Sequence, residues 1–513
     1  MILRAAVEAA CGLSIVAAGP RWLRVAQREH YLVDATTRFA LRWWVAVPVN
    51  LVGLGIAVAG LLASSRWAAG GFATAAVIAV GPVGLSLRGR TSPLAWTRRL
   101  RTLALVWAGL EAVAVAGGIV AGQGPVAASA AALAVPALVD LACALMAPIE
   151  RRLAGSHVAR AAARLRRVAP TVVAITGSFG KTSTKGYVAH LVSGTRSVVA
   201  SPASFNNRAG LARAVNEHLA DGTEVFVAEM GTYGRGEIAE LCSWIRPDVA
   251  VITAIGPVHL ERFRSEDRVL EAKAEILVGA ASAILVIDDD RLAALAEARA
   301  LSGTRVWRVS ASDMNADVCV LEDGGCLSVR FRGVEIAHAI PFDARPGNVA
   351  AAVAVALELG VPADDVVRRL ATLPGAPHRL EQTLSPGGFV LLDDTYNANP
   401  AGARAALATL GRLGADAMRR VVVTPGMVEL GPLQTQENTD FAAAVAAVAT
   451  DLVIVGRTNR RALLAGSRRP PSGSDAPRVV VVSTLPKATQ WVREHLESGD
   501  VVLYENDLPD HYP

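Results

Sequence analysis

Residues 172–188, VVAITGSFGKTSTKGYV, hold the side chains best suited to phosphate chemistry. Val172–Ile175 is a short apolar run of the kind a buried parallel strand shows. Gly177 and Gly180 follow, ahead of Lys181 and Thr182. Glycines there let successive backbone amides converge on phosphate oxygens. Lys181 would reach the β- and γ-phosphates, and the Thr182 hydroxyl would coordinate Mg²⁺. The usual nucleotide loop, G-x-x-x-x-G-K-[ST], would put its first glycine at 175, where this chain has Ile175. A nucleotide site of another pattern and a plain glycine-rich turn both fit this stretch taken alone.

Four more stretches carry candidate groups. VFVAEMGTYGRGEI (225–238) places Glu229 just past an apolar strand, where ligands sit in open α/β sheets. Residues 251–277 do the same for His259 and then put Lys273 on a helix. PHRLE (377–381) and LLDDTYNANP (391–400) follow, the second with Asp393, Asp394, Asn397 and Asn399 beyond another strand. Singly, these read as a helix cap, a structural histidine, a solvated lysine and an Asx-rich turn before Pro400. Their order behind a phosphate loop, each after a strand, is what raises them. Lysine usage adds a signal: of 51 basic residues only Lys181, Lys185, Lys273 and Lys487 are lysines. Where Arg is the default cation, a retained Lys marks a position that a guanidinium cannot serve.

The elements that must hold these groups alternate short apolar runs with helical stretches. Strands are expected at 225–228, 249–253, 283–287, 389–392, 420–424 and 451–455, giving parallel sheets in α/β layers. The pattern restarts near Pro374–Pro377, so a central domain at 170–376 and a C-terminal domain at 377–513 are expected, after a basic linker at 151–169.

Residues 1–150 read as a transmembrane helical bundle of four or five spans. Stretches 43–63 and 67–87 contain no charge, 102–122 and 125–149 contain one acid each (Glu111 and Asp140), and 2–19 is weaker. The two acids either hydrogen-bond neighbouring helices or face a polar lipid head group. Arginines crowd 20–42, 88–101 and 150–167, while the connections 64–66 and 123–124 hold only Arg66. Positive loops stay inside, which predicts a multi-pass plasma-membrane protein with its catalytic domains in the cytoplasm and lipid as a partner. Residues 1–170 carry 18 Arg against 6 acids, the remainder 33 basic against 40 acidic residues, an asymmetry that argues against nucleic acid as a partner. Cysteines 11, 143, 242, 319 and 326 show neither metal-ligand spacing nor a disulfide framework, and Cys319 and Cys326 flank a Gly-Gly turn as strand residues.

With these stretches in view, the chain resembles the Mur ligase family, ATP-dependent ligases that form amide bonds in cell-wall precursors. Its short loop, T-G-[ST]-x-G-K-T, is the one found here, and SFNNRAGL, EMGTYGRGEI, GPVHLERFRSEDRVLEAKAEI, DDTYNANP and GMVELG are most similar to the branch that adds D-alanyl-D-alanine to UDP-N-acetylmuramoyl-tripeptide. The resemblance spans roughly 170–465 and implies a P-loop central domain and a Rossmann-like α/β C-terminal domain. It implies ATP at Thr176, Gly177, Ser178, Gly180, Lys181, Thr182, Ser183, Asn348, Arg379 and Asp394, and two Mg²⁺ sites. Thr182 and Glu229 would hold the first, His259 and Lys273 the second, with Lys273 carbamylated into a carboxylate-like ligand. Lys181, Glu229, His259 and Lys273 would be the catalytic set. Asn206, Asn207, Tyr396, Asn397 and Asn399 would lie near substrate. Three features depart from the family: helices stand where it has a UDP-sugar-binding domain, its G-x-H-N-x-x-N motif reads RPGNVAA (345–351), and the terminal LYENDLPDHYP lacks its Lys-Gly-Ser stretch.

The expected function is a membrane-anchored, ATP-dependent amide ligase working through an acyl phosphate. It would join a carboxylate substrate, lipid-linked or not, to an amino-acid or dipeptide amine. The alternatives are the D-alanyl-D-alanine-adding ligase with an added anchor, a ligase building a poly-amino acid, and a transporter with a fused ATPase.

Overall fold

The computed structural model describes residues 1–85, 94–202, 205–258, 260–323, 326–341, 345–374, 380–395, 399–415, 417–470 and 475–508. Two compact units divide it, Met1–Leu153 and Ala154–Leu508.

The first unit is helical: α1 (Ile2–Arg28), α2 (Ala35–Ala46), α3 (Pro48–Ser64), α4 (Gly70–Val80), α5 (Arg98–Val120) and the start of α6 (Gly124–Val168). Among the described residues, Ile2–Arg28, Arg98–Val120 and Gly124–Glu150 are long and apolar enough to cross a membrane. Two expected spans are corrected. The run 43–63 is not one helix: it breaks at Val47, and the pieces Ala35–Val45 and Pro48–Ser64 are bent by 108°. Val47 is extended because the residue before a proline is pushed out of the helical region, and Pro48 opens α3, where its missing N–H costs nothing. The run 67–87 yields a helix of only 11 residues, which ends at the extended Gly81 before Pro82. The weakest expectation, residues 2–19, is part of the 27-residue helix α1.

Two buried charged side chains in this unit bond to helix ends, and a third bonds to a tryptophan. The Arg21 guanidinium donates to the carbonyls of Ile78, Ala79 and Val80 at 3.0, 2.7 and 2.9 Å, taking up the acceptors that α4 leaves open at its C-terminus. Asp140 accepts from the backbone amides of Thr36 (3.1 Å) and Thr37 (2.7 Å) and so caps α2 from another helix. Glu111 accepts from Trp107 Nε1 at 3.0 Å.

The second unit contains two sheets. In the first, β1 (Thr171–Thr176), β2 (Val198–Ala200), β3 (Val225–Glu229), β4 (Val249–Ile252), β5 (Ser282–Val286), β6 (Arg305–Ser310), β7 (Val318–Asp323), β8 (Cys326–Phe331) and β9 (Val334–Pro341) run in the order β2-β3-β1-β4-β5-β6-β7-β8-β9. Pairing is parallel as far as β7, then antiparallel through β8 and β9. Val173 and Ile175 of β1 enter one core and Val172 and Ala174 the other, so the strand is covered on both faces, as its unbroken apolar run requires. In the second sheet, β10 (Glu381–Leu384), β11 (Val390–Asp394), β12 (Arg420–Thr424), β13 (Asp451–Val455), β14 (Arg478–Val482) and β15 (Val501–Glu505) take the order β10-β11-β15-β12-β13-β14. Only the β10–β11 pairing is antiparallel. The last strand thus inserts between β11 and β12. The candidate groups Glu229 and Asp394 terminate β3 and β11, and the phosphate loop follows β1 directly.

Candidate active site

The loop between β1 and α7 (Lys181–Val192) is held by contacts on every side. Gly177 (φ +156°) has no room for a side chain, since a Cβ there would lie 2.0 Å from Thr253 Oγ1. Gly180 is left-handed (φ +85°), and a Cβ there would lie 2.3 Å from Asn348 Oδ1. Asn348, predicted to contact nucleotide, therefore sits directly against the phosphate loop. Ser178 is fixed by its amide to the carbonyl of Ala254 (2.8 Å) and its hydroxyl to that of Gly256 (3.3 Å). The Thr176 hydroxyl, buried, donates to Met230 O at 2.8 Å. Thr182 and Ser183 lie in the first turn of α7, whose free amides face the loop.

Glu229 is aligned with Ile175 across β1 and β3, which brings its carboxylate to the same end of the sheet as the loop. It is nearly inaccessible, with a side-chain exposure of 2%, yet an ammonium and an amide reach it. Lys185 Nζ lies 3.0 Å from Oε2, and Asn206 Nδ2 donates to Oε1 at 3.2 Å. Lys185 is one helical turn beyond Thr182 on α7, so Thr182, Lys185 and Glu229 share one side of the site. Sequence reading gave Lys185 no role. Its one trace was being a lysine in a chain that otherwise uses arginine.

Lys273 ends up under the loop. Its Nζ donates to the carbonyl of Gly177 at 3.0 Å, the same oxygen that Lys181 Nζ reaches at 2.6 Å, and its residue exposure is 3%. Burial, with the Lys181 charge adding to it, holds the Lys273 amine well below the usual lysine range. A solvated helix lysine is thereby ruled out for this position.

The C-terminal sheet brings Asp394 and Glu505 together, residues that are register partners at the ends of β11 and β15. Burial, and then the adjoining Asp394 carboxylate, push the Glu505 carboxyl well above the usual range, against the opposing pull of Arg345. The next residues close over this end of the sheet: the amide of Asn506 donates to Asp394 O (3.2 Å), its side chain to Gly426 O (2.7 Å), and the amide of Asp507 to Thr395 O (3.2 Å). Asn506 and Asp507, from a stretch that had no role in the sequence reading, thus adjoin Asp394 and Thr395. Asn399 caps the helix Pro400–Leu413 through Gly402 N at 2.9 Å, and Asn207 caps Arg208–His218 through Gly210 N at 3.0 Å. Those two asparagines are committed to helix starts by their Oδ1 atoms, whereas Asn206 turns to Glu229. His259, Arg379, Tyr396 and Asn397 lie outside the described residues, although Leu260, next to His259, donates its amide to Glu429 O in the GMVELG loop at 3.0 Å.

A glycine-bearing loop after one parallel strand and a buried carboxylate at the end of its neighbour make a site suited to a nucleotide's phosphates. Residues 175–356 match the Mur ligase middle domain and 378–504 the Mur ligase, glutamate ligase domain. UDP-N-acetylmuramoyl-tripeptide–D-alanyl-D-alanine ligases are similar in sequence. That of Mycobacterium tuberculosis is 32% identical over 359 residues, covering 65% of this chain and 69% of the relative, and that of Bacillus subtilis 29% over 351 residues, covering 67% and 75%. Among solved structures, MurF from Acinetobacter baumannii superposes with a TM-score of 0.58 at 27% identity, over 69% of this chain and 77% of that one. The MurF ligase from Thermotoga maritima in complex with ADP gives 0.58 at 25% identity, over 69% and 80%. The chain belongs to the Mur ligase family. It is an ATP-dependent carbon–nitrogen ligase, which sets aside the transporter reading; the helical unit precedes both family matches.

Proposed function

We propose that this chain is a membrane-anchored amide ligase of peptidoglycan-precursor synthesis, joining a D-alanyl-D-alanine-type amine to a UDP-muramoyl-peptide carboxylate through an acyl phosphate. The observation that carries it is the convergence of Lys181, Lys185, Glu229 and Lys273 on one phosphate loop, in a chain similar to ligases with those named substrates. The carboxylate follows the relatives' nucleotide-linked substrate rather than the lipid-linked one that the helices suggested.

Residues 170–376 are assigned as the ATP-binding domain and 377–513 as the C-terminal ligase domain, after the helical domain 1–150 and the basic segment 151–169. Apolar side chains such as Leu105, Val113 and Val120 of α5 point outward, exposed by 75%, 72% and 89%, as lipid contact would demand. The arginine distribution places the ligase domains in the cytoplasm, where ATP is.

Thr182 and Glu229 supply oxygen donors of the kind Mg²⁺ prefers, near the glycine-bearing phosphate loop. The second metal would rest on His259, which lies outside the described residues, and on a modified Lys273. Bound Mg²⁺ would neutralise charge on the β- and γ-phosphates. Lys273 suits carbamylation because burial holds its amine well below the usual lysine range, favouring the neutral form that adds CO₂ to give a carbamate and a proton. In the first step the substrate carboxylate attacks the γ-phosphorus, forming the acyl phosphate and releasing ADP. Lys181 stabilises the transferring group. In the second step the amine adds to the acyl carbon, the tetrahedral intermediate expels phosphate, and the nitrogen gives its extra proton to solvent. Asn348 and Asp394 hold the nucleotide, and the sheet ends position the reactants.

The test uses the purified full-length chain in detergent with ATP, UDP-N-acetylmuramoyl-tripeptide and D-alanyl-D-alanine. Mass spectrometry should show the joined product and an equal amount of ADP, both dependent on the amine. ATP consumption indifferent to the amine, with no joined product, would overturn the reading.

A further inference from the structure

We infer that Lys185 is a positioning residue that occupies the cation place beside Glu229 until nucleotide arrives, so that the metal site forms only together with the nucleotide. The inference rests on Glu229 as a metal ligand and adds the order in which its partners assemble.

The geometry is a closed set of contacts. Lys185 and Glu229 expose 7% and 2% of their side chains, and their charged atoms are 3.0 Å apart. Asn206 Nδ2 donates to the other carboxylate oxygen at 3.2 Å, so one oxygen of Glu229 is hydrogen-bonded and the other is held by the ion pair alone. A buried carboxylate needs a compensating charge, and here the protein supplies it from its own helix. Lys181 and Lys185 lie four residues apart on α7, the first with its ammonium at the loop carbonyl of Gly177 and the second with its ammonium at Glu229. Free Mg²⁺, which dehydrates reluctantly and relies on substrate phosphates to complete its shell, gains little by approaching that arrangement. Triphosphate reverses the balance: its anionic oxygens draw Lys181 and supply metal ligands, and the Lys185–Glu229 pair can then release one carboxylate lone pair. By linkage, metal and nucleotide each strengthen the other's binding. A compact ammonium can retreat along a flexible stem, whereas a planar guanidinium would hold a two-point grip on the carboxylate. That accounts for lysine at 185 in an arginine-rich chain.

The test measures Mn²⁺ binding by electron paramagnetic resonance on full-length protein, with and without a non-hydrolysable ATP analogue. Wild type should bind Mn²⁺ weakly alone and at least about tenfold more tightly with the analogue. Lys185→Met should gain at least about tenfold in analogue-free Mn²⁺ affinity and lose most of the coupling. A folded Lys185→Met protein with no such gain overturns the inference. So does tight, analogue-free binding by wild type that Glu229→Gln abolishes, an outcome that decides the matter even if Lys185→Met does not fold. Glu229→Gln should weaken Mn²⁺ binding in the analogue complex. If it does so while Lys185→Met gains nothing, the metal role of Glu229 stands and this inference alone falls; if it changes nothing, both fall.

Discussion

Lys181 and Lys273 donate to one acceptor, the carbonyl oxygen of Gly177, at 2.6 and 3.0 Å. Lys273 is the more deeply buried of the two, and burial together with the neighbouring Lys181 charge holds its amine well below the usual lysine range. One backbone oxygen of the phosphate loop thus ties both lysines to the same place in the site.

Lys273→Ala is therefore expected to lose nearly all ligase activity, with short-chain carboxylates restoring part of it. Lys273→Arg should be as inactive as Ala, because a guanidinium stays charged and cannot become a carbamate. Product formation in the presence and absence of added acetate checks this; near-normal activity in the Arg variant would remove the carbamate.

Lys181→Ala should reduce product formation by a factor on the order of 10²–10³, the scale for removing one donor to a developing charge. Its melting temperature should stay close to wild type, since the Lys181 ammonium donates to the carbonyls of Gly177 and Ser178 in the adjoining loop. Thermal unfolding and product assays on the same sample separate the two effects.

Much of this site was legible along the chain, and the reason is local. A loop, the strand before it and the helix after it occupy consecutive residues, so Gly177, Gly180 and Lys181 announced themselves by spacing. Glu229 and Asp394 were found because each follows an apolar run that became a strand, β3 and β11. Lys185 was not, since a helix position says nothing about which strand end it faces. Glu505 was hidden further: its meeting with Asp394 depends on β15 returning between β11 and β12, a pairing across more than a hundred residues. The helical unit misled in the opposite direction. Counting uncharged residues cannot see that Val47 and Gly81 end helices, although Pro48 and Pro82 marked both places.

Glu505→Gln should stabilise the protein at neutral pH. With its folded-state affinity for protons raised, Glu505 costs nothing below the unfolded value near 4.5, and stability declines as pH rises from there through the folded value. Glutamine removes that loss. Melting temperatures should therefore favour the variant at pH 7 and converge with wild type below about pH 4; equal curves throughout would show that Glu505 is not protonated against Asp394.

Cysteine placed at Ser65 should react with an impermeant reagent applied outside cells, and one at Ser92, among the arginines of 88–101, should be spared. The reverse pattern would invert the orientation and put the ligase domains on the wrong side for ATP.

The central claim, amide formation through an acyl phosphate, is tested most directly by isotope transfer. UDP-N-acetylmuramoyl-tripeptide labelled with ¹⁸O in its terminal carboxylate is turned over with ATP and D-alanyl-D-alanine, and the released phosphate is analysed by mass spectrometry. The mechanism predicts that the phosphate carries an oxygen from the carboxylate. Phosphate released without that label, its new oxygen drawn from water, would contradict it.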